Sequence, residues 1–187
     1  MYVKVNILSL SRRRFIQLAG SSIVVASGIP SLAQASYPDQ PRHLVMNNLH
    51  TGESLESSYF NGIDYVEGEL DRLSHLCRDF RRNEVHPMDR RLFDQITQIQ
   101  SLLGSQAEVQ IISGYRSPAT NSALRTNSKG VAKKSYHMLG QAMDFRLHGV
   151  NLKDVREAAM SLKAGGVGYY PKSNFIHIDT GPVRSWV

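Results

Sequence analysis

The sequence predicts an α+β domain, with a small, mostly antiparallel sheet flanked by three longer helices. Three observations carry that reading. Period-two and period-3.6 apolar patterns are mixed along the chain without regular strand–helix–strand alternation. Removing an expected leader of residues 1–35 from the 187 leaves 152, which is one domain's worth. Cys77 is the single cysteine, so no intramolecular disulfide supplements the core.

The leader comes first. Ser11-Arg12-Arg13-Arg14-Phe15-Ile16-Gln17 has the Ser-Arg-Arg-x-Phe form of a twin-arginine export signal. Leu18 to Leu32 is only modestly apolar, broken by Gly20, Ser21, Ser22, Ser27, Gly28 and Pro30, and Ala33-Gln34-Ala35 is an A-x-A cleavage site. A spanning helix needs about 20 apolar residues, so a stable membrane anchor is not expected. Cleavage puts the mature start near Ser36, the protein in the periplasm, and the twin-arginine (Tat) export machinery among its partners. The leader holds Lys4, Arg12, Arg13 and Arg14 and no acid, so its loss lowers the formal charge from +6 to +2. A nucleic-acid partner thereby loses its main support, and a monomer is expected.

Residues 36–42 read as a linker, with the domain at 43–187. His43 to Asn48 and Glu53 to Phe60 read as strands joined by a His50-Thr51-Gly52 turn. Asp64 can cap a helix to about Arg82, on a stripe of Val66, Leu70, Leu73, Leu76 and Phe80. Cys77 lies on or beside that stripe and reads as a buried thiol. Asp89 can cap a second helix carrying Leu92, Phe93, Ile96, Ile99, Leu102 and Leu103, stopped by Gly104. Val109 to Ile112 is a strand that delivers Gly114-Tyr115-Arg116-Ser117. Pro118 to Asn127 is a short helix and residues 129–135 a loop. Asn151-Leu152 to Ala164 is a third long helix, and strands follow near Val167–Tyr170 and Phe175–Asp179. Gly165-Gly166-Val167-Gly168 follows a helix instead of opening one, so it reads as a tight turn and not as a phosphate loop.

Two motifs carry the chemistry: Ser135-Tyr136-His137-Met138-Leu139-Gly140-Gln141-Ala142-Met143-Asp144 and Phe175-Ile176-His177-Ile178-Asp179. They offer two imidazoles and a carboxylate, a set that holds zinc and leaves its fourth position open to water. Alternation puts Met143, Phe145 and Leu147 on one strand face and Ala142, Asp144 and Arg146 on the other. In the last strand Ile176 and Ile178 point inward, while Phe175, His177 and Asp179 point outward. Gly140 allows the turn that folds His137 back beside Asp144. His43, His50, His75, His86 and His148 lack a partner at ligand spacing.

These motifs resemble the zinc D-alanyl-D-alanine carboxypeptidase and dipeptidase family, which cuts peptidoglycan peptides. Its signature is Ser-x-His-x-x-Gly-x-Ala-x-Asp, a later His, and an upstream Gly-Tyr-Arg-Ser. Residues 135–144 match at every fixed position, His177 matches the later ligand, and Gly114 to Ser117 match the upstream segment. From Asn47 to Trp186 the chain is similar to the murein endopeptidase K branch. The resemblance implies a Zn2+ cofactor on His137, Asp144 and His177, water activated as the nucleophile, and a peptidoglycan peptide as substrate. It puts Arg116 beside the metal, to bind the carbonyl oxygen as charge develops or a substrate carboxylate. Tyr115, Tyr136, Tyr169 and Tyr170 are candidates to line the substrate groove.

One position departs from the family. Many members carry Glu or Asp three residues before the last His, as general base, and this chain has Asn174. Asp179 lies about 7 Å along the strand from His177. It is a candidate either for a displaced base or for a partner that orients a metal ligand. The leading reading is a zinc murein endopeptidase. The alternatives are a D,D- or L,D-carboxypeptidase, and a peptidoglycan-binding module with weak catalysis.

Overall fold

The computed structural model describes residues 40–128 and 130–187, so the leader and most of the linker lie outside the described residues. Strands β1 (Arg42–Asn48) and β2 (Ser54–Phe60) form an antiparallel hairpin. Helices α1 (Glu67–Leu76) and α2 (Arg90–Leu102) lead to β3 (Val109–Ser113). Helix α3 (Pro118–Asn127) and a 3-10 turn at Tyr136–Leu139 precede β4 (Ala142–Leu147). Helix α4 (Leu152–Leu162) is followed by β5 (Gly166–Tyr170), β6 (Phe175–Asp179) and β7 (Arg184–Trp186).

The α+β class holds, with two corrections. The sheet has seven strands, in the order β2-β1-β3-β4-β6-β5-β7, and is mixed: β1 pairs β3 and β5 pairs β7 in parallel. There are four helices of 10 to 13 residues among the described residues, so α3 ranks with the rest. Local patterns report a strand's faces but not its neighbours, so parallel pairing between distant segments escaped the sequence reading. Strand β7 escaped as well, because three residues are too few to show a period.

Helix α1 also ends earlier than its apolar stripe. Its N-cap is Val66, and Asn61, not Asp64, organises the entry by accepting from the Ile63 and Asp64 N–H groups. Past Cys77 the chain leaves the helix because Asp79 is recruited elsewhere. Its carboxylate accepts from the N–H and hydroxyl of Ser117 at 3.0 and 2.6 Å and from the Arg81 N–H at 3.1 Å. Asp89 and Asn151 cap α2 and α4 through their side chains, as short polar residues do before an apolar stripe.

Alternation then sorts the sheet. Met143, Phe145, Ile176 and Ile178 are wholly buried in a core with Leu92, Phe93, Ile96 and Ile99 of α2 and Val155 of α4. Cys77 belongs to that core, and burial pushes its thiol up to about 12, which fits a packing role. Asp144 and His177 project from the opposite face, which the helices α2 and α4 leave open.

Candidate metal centre

Three residues meet on the open face. Asp144 and His177 are direct cross-strand partners on β4 and β6. His137 reaches them from the 3-10 turn. Ser135 opens that turn by accepting from the His137 N–H, and Gly140 ends it at φ 65°. Any Cβ at Gly140 would lie 2.2 Å from the Pro87 carbonyl oxygen, so this position needs glycine for room as well as conformation.

Each imidazole has one nitrogen committed elsewhere. His137 Nδ1 lies 2.7 Å from the Gly114 carbonyl, which can only accept, so Nδ1–H donates and Nε2 is the nitrogen that faces the centre. His177 Nε2 lies 3.1 Å from Asp179 Oδ2, which leaves Nδ1 to face the centre. His137 Nε2, Asp144 Oδ1 and His177 Nδ1 lie within 4.8 Å of one another. His137 Nε2 is 3.3 Å from each of the other two, and His177 Nδ1 is 2.8 Å from Asp144 Oδ1. Donors about 2.0–2.1 Å from a tetrahedral zinc sit about 3.3–3.4 Å apart. Two of the three edges have that length, and the third is drawn in by a hydrogen bond. The donor set fits a zinc ion.

The electrostatics agree. Burial opposes charge on Asp144, yet His137 and His177 hold its carboxyl well below the usual carboxylate range. Burial likewise opposes a charged His177, but hydrogen bonds to Asp144 and Asp179 outweigh it and raise the imidazole to about 9. A cation in place of that proton would satisfy the same two carboxylates.

Arg116 stands beside this group. Its guanidinium is 3.9 Å from Asp144, and burial lowers its pKa, with Asp144 opposing. Its other contacts are long, 3.4 Å to Ser113 and 3.5 Å to Asn121, and its buried Nε has no partner. The segment that carries it is held from two sides: the Tyr115 N–H donates to the Cys77 carbonyl, and the Arg116 N–H to the His137 carbonyl.

Asp179 is 0% exposed. Its carboxylate also accepts from Arg184 at 2.6 and 3.1 Å, from the Gly166 N–H at 3.0 Å and from the Gly181 N–H at 2.9 Å. Burial opposes its charge, but His177, Arg184 and these N–H groups hold its pKa down. Asn174 is exposed, at φ 53°, and closes the 3-10 turn before β6.

A cavity of about 450 Å³ opens on the centre, lined by Arg116, His137, Asp144 and His177 together with Lys134, Tyr136, Tyr170, Phe175, Arg184 and Trp186. Tyr136 and Tyr170 thus fall where the sequence suggested. Tyr115 and Tyr169 do not: Tyr115 stacks on His86 at 4.8 Å, and Tyr169 packs against the core under Arg156. Arg184 and Trp186 were missed, because their role depends on the unforeseen strand β7.

Comparison with known proteins places the chain in a family. A family described as "Peptidoglycan L,D-endopeptidase MepK", within the M15 peptidases, matches residues 36–186. "Peptidoglycan L,D-endopeptidase MepK" of Escherichia coli (strain K12) is 52% identical over 177 residues, covering 94% of this chain and 97% of its own length. The protein of the same name from Shigella flexneri matches equally. "Probable peptidoglycan L,D-endopeptidase MepK" of Haemophilus influenzae is 46% identical over 184 residues, covering 97% of this chain and 98% of its own. No solved structure matches the chain significantly. The chain belongs to the MepK family of M15 peptidases.

Proposed function

We propose that this chain is a zinc-dependent endopeptidase that hydrolyses L,D peptide cross-links of peptidoglycan in the periplasm. The bond type comes from the names of its relatives. The observation that carries the metal reading is the convergence of His137 Nε2, Asp144 Oδ1 and His177 Nδ1 at the floor of the cavity, with each imidazole's other nitrogen already engaged. These three atoms would hold the zinc ion. When bound, zinc supplies a water with pKa near 7 and a Lewis acid for the scissile carbonyl.

The chain's own groups do the rest. Arg116, loosely held and half-buried beside Asp144, is free to bind the carbonyl oxygen as it gains charge, or a substrate carboxylate. Lys134 makes the cavity wall more positive, which suits an anionic wall polymer, and Tyr136, Tyr170 and Trp186 offer flat surfaces to the stem peptide. Asp179 orients His177 through Nε2; its burial and its five contacts favour this role over that of a displaced base. Export by the twin-arginine route rests on Arg12, Arg13 and Arg14, and the family match beginning at residue 36 supports a leader ending there. Among the described residues no helix is long and apolar enough to cross a membrane.

One observation favours a second reading, a peptidoglycan-binding module. Among the described residues no carboxylate other than Asp144 lines the cavity, so no free general base is evident there. Incubating zinc-loaded protein with purified sacculi separates the readings. Cross-linked dimers collapsing to monomers support the endopeptidase. Shortened stems would indicate a carboxypeptidase, and binding without new fragments would indicate the module.

A further inference from the structure

Two rows of residues run across the open face of the sheet. In one, strand register joins Asp144 of β4 to His177 of β6, His177 to Gly168 of β5, and Gly168 to Trp186 of β7. In the other, Ala142 of β4 pairs with Asp179 of β6, and Gly166 of β5 pairs with Arg184 of β7. In both rows the β5 position is glycine, and in both the β7 side chain passes over it towards β6.

The distances show that the crossing needs glycine. A Cβ at Gly166 would lie 2.5 Å from an Arg184 guanidinium nitrogen and 2.6 Å from Asp179 Oδ2. A Cβ at Gly168 would lie 2.6 Å from the Trp186 indole. Through the first gap Arg184 grips both oxygens of Asp179, at 2.6 and 3.1 Å, and Asp179 Oδ2 in turn holds His177 Nε2 at 3.1 Å. Through the second, Trp186 lies against the His177 ring, centroids 5.2 Å apart. The Arg184 guanidinium is itself set between the Tyr136 and Trp186 rings, at 5.2 and 5.1 Å. A paired, planar guanidinium leaves its carboxylate partner little rotational freedom.

We propose that Arg184 is a positioning residue for the metal centre: acting through Asp179, it fixes the rotation of the His177 ring so that Nδ1 faces His137 and Asp144. The inference rests on the reading of those three residues as metal ligands. It makes β7 a clamp on β6, and the glycines of β5 its clearance.

The test is a double-mutant cycle on the zinc dissociation constant, measured by chelator competition at one pH, with denaturant unfolding of the metal-free proteins alongside. Arg184→Met is expected to weaken zinc binding about 10–100-fold, the range for partners that orient a ligand histidine. Arg184→Lys, which keeps the charge but not the planar two-pronged grip, is expected to recover part of that loss. Arg184→Met leaves the buried Asp179 without its guanidinium partner, holding only His177 and the Gly166 and Gly181 N–H groups, so its fold can suffer. Asp179→Asn and the double variant Asp179→Asn/Arg184→Met remove the buried charge. The double variant is expected to bind zinc within about twofold of Asp179→Asn alone, because Arg184 acts through Asp179. Independent, additive losses would overturn the proposal. So would unchanged zinc affinity with only KM raised, which would make Arg184 a substrate contact. Failure of the wild-type chain to bind zinc would instead overturn the metal reading beneath it.

Discussion

Asp144 and His177 sit directly opposite each other on antiparallel strands, with Asp144 Oδ1 2.8 Å from His177 Nδ1. A one-residue slip of either strand would send one of the pair into the apolar core. The alternation that buries Met143, Phe145, Ile176 and Ile178 therefore also sets the pair in place. His177→Ala, Asp144→Ala and His137→Ala are each expected to lose bound zinc and activity, since two donors hold the ion poorly against solvent. The core lies on the other face, so cooperative unfolding should persist. Stoichiometric zinc in any of the three variants would remove that residue from the site.

Arg116→Lys is expected to fold and retain zinc but to turn over about 10²–10³-fold more slowly, the usual loss when a donor to a developing oxyanion is removed. Lysine keeps the charge and loses the planar fork. Near-normal kcat on muropeptide dimers would assign Arg116 to structure.

Asp79→Ala is expected to cost about 1–3 kcal/mol, because the Ser117 N–H and hydroxyl would lose their buried acceptor. Ser117 adjoins Arg116, so turnover should also fall while zinc remains bound. Denaturant unfolding and zinc stoichiometry check both halves. A stability loss with wild-type turnover would confine Asp79 to the fold.

The pH profile of the metal-free chain has a definite sign. His177 is raised from 6.5 to about 9, so its contribution to stability is complete below about pH 6.5 and is lost as pH rises through about 9. Asp144 is depressed below 3.8, so its contribution is present above that pH and is lost on acidification below it. Zinc needs a neutral imidazole, so its affinity should move oppositely to the His177 contribution, rising as pH rises towards 9. Urea midpoints of chelated protein from pH 5 to 10 check the first statement, and a flat profile would contradict it.

Asn174→Asp is expected to leave turnover within about twofold of wild type, as for an exposed surface substitution. It puts a carboxylate three residues before His177, but on an exposed residue that does not line the cavity. A clear rise in kcat would show that a base acts from this turn after all.

How much of this was legible beforehand follows from the range of each signal. Caps and strand faces are local, so Asp89 and Asn151 and the alternation around Asp144 and His177 could be read directly. The grouping of His137, Asp144 and His177 was legible because residues 135–144 hold a dense motif and His177 lies within a clear strand pattern. What failed was non-local. Helix α1 stops short because Asp79 bonds Ser117, 38 residues away. The mixed sheet depends on pairings between β1 and β3 and between β5 and β7 that no window of sequence contains. Arg184 and Trp186 acquire meaning only once β7 lies beside β5, over Gly166 and Gly168.

Anomalous diffraction at the zinc edge, from crystals of zinc-loaded protein, would show whether His137, Asp144 and His177 hold the ion. One strong peak is expected about 2.0–2.2 Å from each of His137 Nε2, an Asp144 oxygen and His177 Nδ1, with His177 Nε2 still on Asp179. A peak bound through His137 Nδ1 or His177 Nε2, or no peak among the three residues, would contradict it.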